Sequence, residues 1–568
     1  MKKRFSPSVV ILATAREWTN RLLHPKHWPW IATNMLLAAW LIGLLAVAGS
    51  SLPLPQIGFA QDVGVMLDAG WRYFQGMRTH ADYHSPLGPL FAIIFGLPLK
   101  LGGPTYSSYR LLPPVVSAIF AAWTVLVCSK SLQPAIRACL AAGIASAAGG
   151  LFHLGFPVEA LSFAVFYNRV GFALLCIIGL AALLPRGFPD LPAWVNPVRD
   201  ASIATASVML LFLKVNFFFA SLPFWIGSAI LHRRTRTDEL AFGLAFGGTC
   251  LFLLNEIGFR LDRMLGDLSM AADARRACLD SFFFPLRNAI ANHDFAILLS
   301  LGTIVIGTAL RASGASTKTL AVVGGIIWGP ALLGYALTLM QSHGDGRGIP
   351  LVLVGMAAGL AWIAPSDDSE RRLIAGEPTA LQTTPALSQA RILAGACLVC
   401  TAALFIFPHS YSYAHLLHVS RNVGPRQFQA PGIKDLYIGA FGNNLEPGAV
   451  MKMNEAHELL SRHAKPGDSL QYLDMNNIYT FASHLRSPKR SMLFWDNRSS
   501  YTAARHPPAS DFDDSDLLMA PKQLLTQSPL ETTWWTIYGY AIEDRYDLAE
   551  ETIHFRLWRR SQNRQSLP

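Results

Sequence analysis

Twelve apolar runs of 12 to 20 residues recur along the first 407 residues of this chain, at 31–47, 87–99, 111–127, 135–151, 171–184, 202–213, 217–231, 240–254, 295–310, 320–339, 350–363 and 392–407. No other feature narrows the possible folds so far. A segment dry enough to enter a bilayer must satisfy its own backbone groups, so each run is expected to be a helix. Several fall short of the roughly 20 residues that a straight crossing needs. Short runs that come in pairs suggest helices lining a protein cavity. The weaker segment 152–167 has to cross or re-enter if the two sides are to alternate, which gives roughly 11 to 13 helices. No internal repeat is visible.

Charge divides the chain in two. Up to His409 there are 30 basic and 20 acidic residues, and the remaining 159 residues hold 17 of each. The net charge of +10 therefore belongs wholly to the apolar portion. These proportions predict an α-helical polytopic membrane protein, with a cytoplasmic start at 1–30, a membrane domain at 31–408 with an outside loop at 51–85, and a soluble α/β domain at 409–568. The excess is topological rather than a nucleic-acid footprint, because the neutral tail offers no basic face. Lys2, Lys3, Arg4, Arg16, Arg21 and Lys26 precede the first run, and Arg233, Arg234 and Arg236 follow a later one. The positive-inside rule then puts the N-terminus in the cytoplasm and the tail on the periplasmic, extracytoplasmic side of an inner membrane.

All seven cysteines lie outside the tail, and Cys397-x-x-Cys400 sits inside an apolar run. Hydrocarbon disfavours thiolates, so the pair reads as two small residues on a spanning helix. Within the tail, 454–464 has helical spacing, and 469–473, 491–495, 516–519 and 552–558 read as short strands. The tail contains no phosphate loop, zinc spacing or nucleophile elbow, and its expected role is binding or support.

The first outside loop holds the densest chemistry. From Gln61 to Leu87 it carries Asp62, Asp68, Arg72, Arg78, His80, Asp82, Tyr83 and His84. Apolar residues at helical spacing predict a helix over 63–74 along the interface, with Asp62 at its N-terminal end. A carboxylate there suits a helix N-cap as well as it suits catalysis.

The order of a basic start, one span, then a loop with Asp62, Gly70, Tyr73, Gly76, Asp82, Tyr83 and Pro86 resembles the GT-C glycosyltransferases, the group that includes the protein O-mannosyltransferases and the lipid A aminoarabinose transferases. The likeness covers the layout of roughly residues 30–410. It implies a GT-C-like fold and transfer of a sugar from a polyprenyl-phosphate donor to an envelope lipid, glycan or protein acceptor, with Asp62 acting on that acceptor. Many such enzymes have two adjacent acids at this point, whereas Gln61 precedes Asp62 here. Whether Asp62 works alone or with Asp68 or Asp82 stays open.

The chemistry is coherent with the residue types. Inverting transfer from a sugar phosphate needs a base beside the acceptor hydroxyl, and the departing phosphate needs fixed positive charge. Lys214 interrupts an apolar stretch with Asn216 beside it, and a charge in such a place is costly and usually functional; a similar break occurs in related GT-C sequences. Further candidates for the substrate-binding set are Asp68, Arg72, Arg78, Asp82, Tyr83, His84 and Arg347, with Arg260 and Arg263 as additional cations. Tyr167-Asn168-Arg169 and 342–348 form polar islands at the ends of spans, and 260–287 reads as a solvated, mixed-charge interfacial helix. His80, Asp82 and His84 lack a firm third ligand, so no metal site is assigned, although some GT-C enzymes use a divalent cation. The rival readings are a transporter or carrier flippase, and a non-catalytic membrane scaffold.

Overall fold

In the computed structural model the described residues are 28–50, 55–56, 60–129, 131–152, 158–162, 164, 166–186, 191–276, 293–312, 316–339, 350–362, 385–422, 427–438, 448–474, 477–496, 500–522 and 530–561. The chain is a polytopic helical membrane protein with a C-terminal domain. Its helices are α1 Trp28–Gly49, α2 Ala60–Phe74, α3 Pro89–Gly102, α4 Leu112–Val127, α5 Pro134–Gly149, α6 Phe166–Leu183, α7 Val195–Leu211, α8 Val215–Leu231, α9 Arg236–Glu256, α10 Leu261–Arg276, α11 His293–Ala312, α12 Thr317–Leu339, α13 Leu351–Trp362 and α14 Pro385–Asn422. Six stretches among these helices are long and apolar enough to span a bilayer, and α3, α5, α8 and α13 are shorter apolar helices.

Glycines fix how the helices run. Gly395 of α14 lies against Ile136, and Gly143 of α5 lies against Ala402, so contacts advance by seven residues along both helices. α5 and α14 therefore run in the same direction, towards the C-terminal domain. Gly149, at the end of α5, packs on Pro113 and Ser117 at the start of α4, where a Cβ would come within 2.3 Å of the Pro113 carbonyl oxygen.

One expected crossing does not occur, and the segment 152–167 takes the re-entrant of its two alternatives. Gly88 N–H donates to the Leu213 carbonyl at one end of α3, while at the other the Pro104 carbonyl is hydrogen-bonded to His484 Nε2 and Tyr106 N–H donates to Gly432. Both ends of α3 thus lie on the side of the C-terminal domain, and the run at 87–99 does not traverse. Gly150 and Ser162, on either side of 153–157, lie together, because Arg169 donates to both carbonyls. Losing both as crossings keeps the parity that an N-terminus and a tail on opposite sides require; six stretches among the described helices are long and apolar enough to cross by length and composition.

The expected boundary at 408/409 falls inside a continuous helix. α14 has 38 residues, or about 57 Å at 1.5 Å per residue, against a hydrocarbon core of about 30 Å. Its last turns lead out of the bundle into the tail. There a mixed sheet in the order β3-β4-β6-β5 is formed by β3 Leu470–Tyr472, β4 Leu517–Pro521, β5 Tyr546–Glu551 and β6 Phe555–Arg560, with α15 Ala449–His463 before β3, α16 Tyr479–Ala482 between β3 and β4, and α17 Leu530–Arg545 before β5. β3 and β4 are parallel and the other pairs antiparallel. β1 Pro55–Gln56 pairs with β2 Tyr437–Ile438, which ties the first loop to the tail. The segment 491–495 is not a strand of that sheet. Its Met492 bridges His84 instead, with His84 N–H donating to Ser491 and Leu493 N–H donating to His84.

Candidate functional site

The first loop and the tail fold as one layer over the bundle. α2 begins with half-buried Asp62 in its first turn and is buried from Val63 to Arg72. Gly70 and Gly96 let α2 and α3 approach closely, since a Cβ on Gly70 would meet the Phe95 carbonyl oxygen at 2.5 Å. On the opposite face, Trp71 Nε1 and Gln75 Nε2 both donate to the Leu485 carbonyl of the tail, at 2.8 and 3.0 Å.

Asp68 and Arg72 are consumed by this docking. Both are fully buried, with Arg72 Nε 2.8 Å from Asp68 Oδ2. Thr480 Oγ1 donates to the other carboxylate oxygen, and Arg72 Nη1 donates to Ser491 Oγ at 2.7 Å. Burial raises the Asp68 carboxyl above its ordinary range, against the opposing pull of Arg72 and Thr480. Tyr83 lies under the Arg72 guanidinium at 4.9 Å, hydrogen-bonded to Thr79, and burial pushes its phenol up to about 12. These three residues were candidates for substrate binding. Their polar atoms are directed to partners within the chain.

The rest of the loop is held by α10. His80 Nδ1 and His84 Nδ1 share the Asp267 carboxylate at 2.7 and 2.6 Å, Ser85 N–H donates to it at 3.1 Å, and His84 Nε2 lies 3.2 Å from Asp511 of the tail. Burial pulls the His84 pKa down, yet hydrogen bonds and charge from Asp267 and Asp511 overcome it and lift the imidazole to about 9. Burial likewise opposes ionisation of Asp267, and the two histidines reverse that and hold its carboxyl below the ordinary range. Arg263 donates to the Ala81 carbonyl, Arg505 of the tail pairs with Asp273, and Met270 enters the tail's core beside Trp495, Tyr501 and Phe512. α10 is therefore a bracket between loop and tail rather than a solvated interfacial helix. The periodicity marked it as amphipathic, but which partner covers the apolar face is not local information.

Asp82 accepts from Arg78 N–H at 2.7 Å and faces Lys489 at 3.9 Å. Arg78 is exposed, and Arg260 pairs with Asp262 at the surface. Arg347 lies outside the described residues. Among the described residues no group of three or more His, Cys, Asp or Glu is arranged to hold a metal ion.

Two polar islands, far apart in sequence, do come together. Lys214 caps the start of α8 and its Nζ donates to Asn168 Oδ1 at 3.3 Å, between the rings of Tyr167 and Phe217. Arg169, next to Asn168, holds the turn after α5 through Gly150 and Ser162. Asn216 is half-buried, and its Oδ1 has no partner among the described residues. On α14, His409 lies about two turns beyond Ala402, the neighbour of Gly143 in α5. His409 is fully buried against Trp40 and Tyr413, with neither ring nitrogen partnered among the described residues. In the sequence it stands only as the end of the last apolar run, which is also the expected domain boundary.

No family model and no curated protein matches the sequence. In structure the chain is similar to ArnT from Cupriavidus metallidurans, solved bound to undecaprenyl phosphate, at 13% identity and a TM-score of 0.47 over 94% of this chain and 98% of that one. It is also similar to the Archaeoglobus fulgidus oligosaccharyltransferase, solved with Zn and sulfate, at 10% identity and a TM-score of 0.36 over 85% of this chain and 67% of that one. Neither likeness is strong enough to assign an activity.

Proposed function

We propose that the protein is a membrane glycosyltransferase that moves a sugar from a polyprenyl-phosphate donor to an envelope acceptor, on the side of the membrane that carries the C-terminal domain. The observation that carries this reading is the meeting of Lys214 with Asn168 at the domain-side ends of α8 and α6. Asp62 belongs to the same end of the bundle. Contacts between α2 and α3 advance together, from Gly70 on Phe95 to Tyr73 on Gly96 and Lys100, so the Asp62 end of α2 faces the Gly88 end of α3. Gly88 in turn abuts Phe212, two residues before Lys214.

In this mechanism the acceptor hydroxyl attacks the anomeric carbon as the bond to the carrier phosphate breaks. Asp62 takes the hydroxyl proton, and Lys214 offsets the negative charge left on the phosphate. Asp68, Arg72, Tyr83 and His84 act as positioning residues that hold the loop. Asp82 and Arg78 remain at the exposed rim, where an acceptor could reach them. The basic residues Arg186, Arg199 and Arg234 lie at the opposite ends of the helices, which supports a cytoplasmic assignment for that side and a periplasmic one for the tail.

Radiolabelled polyprenyl-phosphate sugar incubated with the purified protein and envelope extract tests the reading. Transfer of label to a lipid, glycan or protein that is abolished in Asp62→Asn supports it, and a parent protein that moves intact labelled carrier between leaflets without transferring sugar would sink it. The scaffold reading predicts neither event.

A further inference from the structure

A cavity away from Lys214 is formed by α11 and α12. α11 and α12 are antiparallel neighbours joined by a short connection at 313–316, and between them is a cavity of about 360 Å³. Ligand cavities begin at roughly this size. Its walls are one face of each helix, including Ile304, Gly307 and Leu310 from α11 and Leu320, Gly324 and Ile327 from α12. The glycines keep it open, since a Cβ on Gly307 or Gly324 would meet nothing within 4 Å. Thr308 also lines it, but its hydroxyl donates to carbonyls of its own helix. Apart from Thr303 and Thr308 the lining short of Arg311 is apolar.

The exception is at one end. Arg311, exposed in the last turn of α11, also lines the cavity, and Lys318 is exposed in the first turn of α12. An apolar slot with cations at its mouth matches an acyl chain joined to a phosphate. α11 runs away from the C-terminal domain, so Arg311 lies in the leaflet opposite the one that Lys214 faces. A carrier whose phosphate sits at Lys214 has its charge at the wrong height for this slot.

We propose that the α11–α12 slot binds one acyl chain of an anionic phospholipid from the leaflet opposite the C-terminal domain, with its phosphate on Arg311. This site stands independently of the transfer chemistry. The test is native mass spectrometry of the full chain in mild detergent, titrated with phosphatidylglycerol, phosphatidylcholine or polyprenyl phosphate. The parent should retain one phosphatidylglycerol in preference to phosphatidylcholine. Arg311→Gln should weaken that retention by about fivefold, the worth of one basic residue at a lipid surface. Gly324→Leu fills the slot and should remove one adduct of either phospholipid. Both positions tolerate the change sterically, so elution and Tm should match the parent. The proposal falls if Arg311→Gln keeps the parent's preference, if Gly324→Leu keeps every adduct, or if polyprenyl phosphate displaces the retained phospholipid.

Discussion

The two carboxylates of α2 meet opposite fates. Asp68 is sealed beneath the tail with an arginine, a threonine and no exposure, whereas Asp62, less than two turns away, is half-buried in the first turn. Both are acids in one loop beside one membrane, and sequence spacing alone gives them similar standing. Packing separates them. An acid whose oxygens are filled by Arg72 and Thr480 has little capacity left for a substrate proton, whereas Asp62 is only half-buried. The contrast gives Asp68, in the third turn of α2, a structural role, and it leaves Asp62 in the first turn as the acid of the proposed chemistry.

The largest effect should come from Asp62→Asn, which keeps the shape and removes the base. Transfer should fall by about 10²–10⁴, measured as initial rate against donor concentration, with Tm unchanged. A variant that loses Tm as well as rate would place Asp62 with Asp68 and erase the distinction. Arg72→Ala is the converse experiment. It strands a buried carboxylate and should cost about 3–5 kcal/mol, read as a lower Tm and faster proteolysis of the tail. If Arg72→Ala stayed as stable as the parent but lost donor affinity, Arg72 would return to the substrate-binding set.

Lys214→Gln comes next, because the amide keeps a hydrogen bond to Asn168 but not the charge. A loss of roughly 10–100-fold in kcat/KM is expected, equivalent to one charge-assisted hydrogen bond of about 1.5–3 kcal/mol. Unchanged kcat/KM would move the phosphate elsewhere among the domain-side cations.

How much of this was legible depended on range. Hydrophobic runs announced the spanning helices because a bilayer makes every spanning residue answer to the same local rule. They failed at 87–99, where an apolar run is buried by protein instead of lipid, and composition is blind to that difference. The breaks at Lys214 and Asn168 were each visible as misplaced polarity, but their contact spans 46 positions. The tail's contribution was least visible. Segment 488–493 supplies Ser491 and the Pro488 and Met492 carbonyls to Arg72 and pairs with His84, yet its own pattern reads as a strand of its own domain. Alternation reports a buried face and not the identity of what buries it. His409 was missed for a related reason: it ends an apolar run, and a run's end looks the same whether the helix stops or, as α14 does, continues to Asn422.

The smallest effect sharpens the contrast without touching either acid. His84 joins loop, α10 and tail through Asp267 and Asp511, and its pKa of about 9 in the fold stands above the ordinary 6.5. The bound proton therefore stabilises the docked layer fully below pH 6.5 and less and less as pH rises through about 9. Asp267, held below its ordinary 3.8, contributes above that pH and loses its contribution only as acid protonates it. Between these limits the bracket is intact. From pH 7 to pH 10 the parent should lose about 1–2 kcal/mol at this site, read as a fall in Tm. His84→Gln should start lower and show a flatter alkaline limb. If the limb kept the parent's slope, the alkaline loss would belong to another group, and the Asp267 bridge would be geometry without energetic weight.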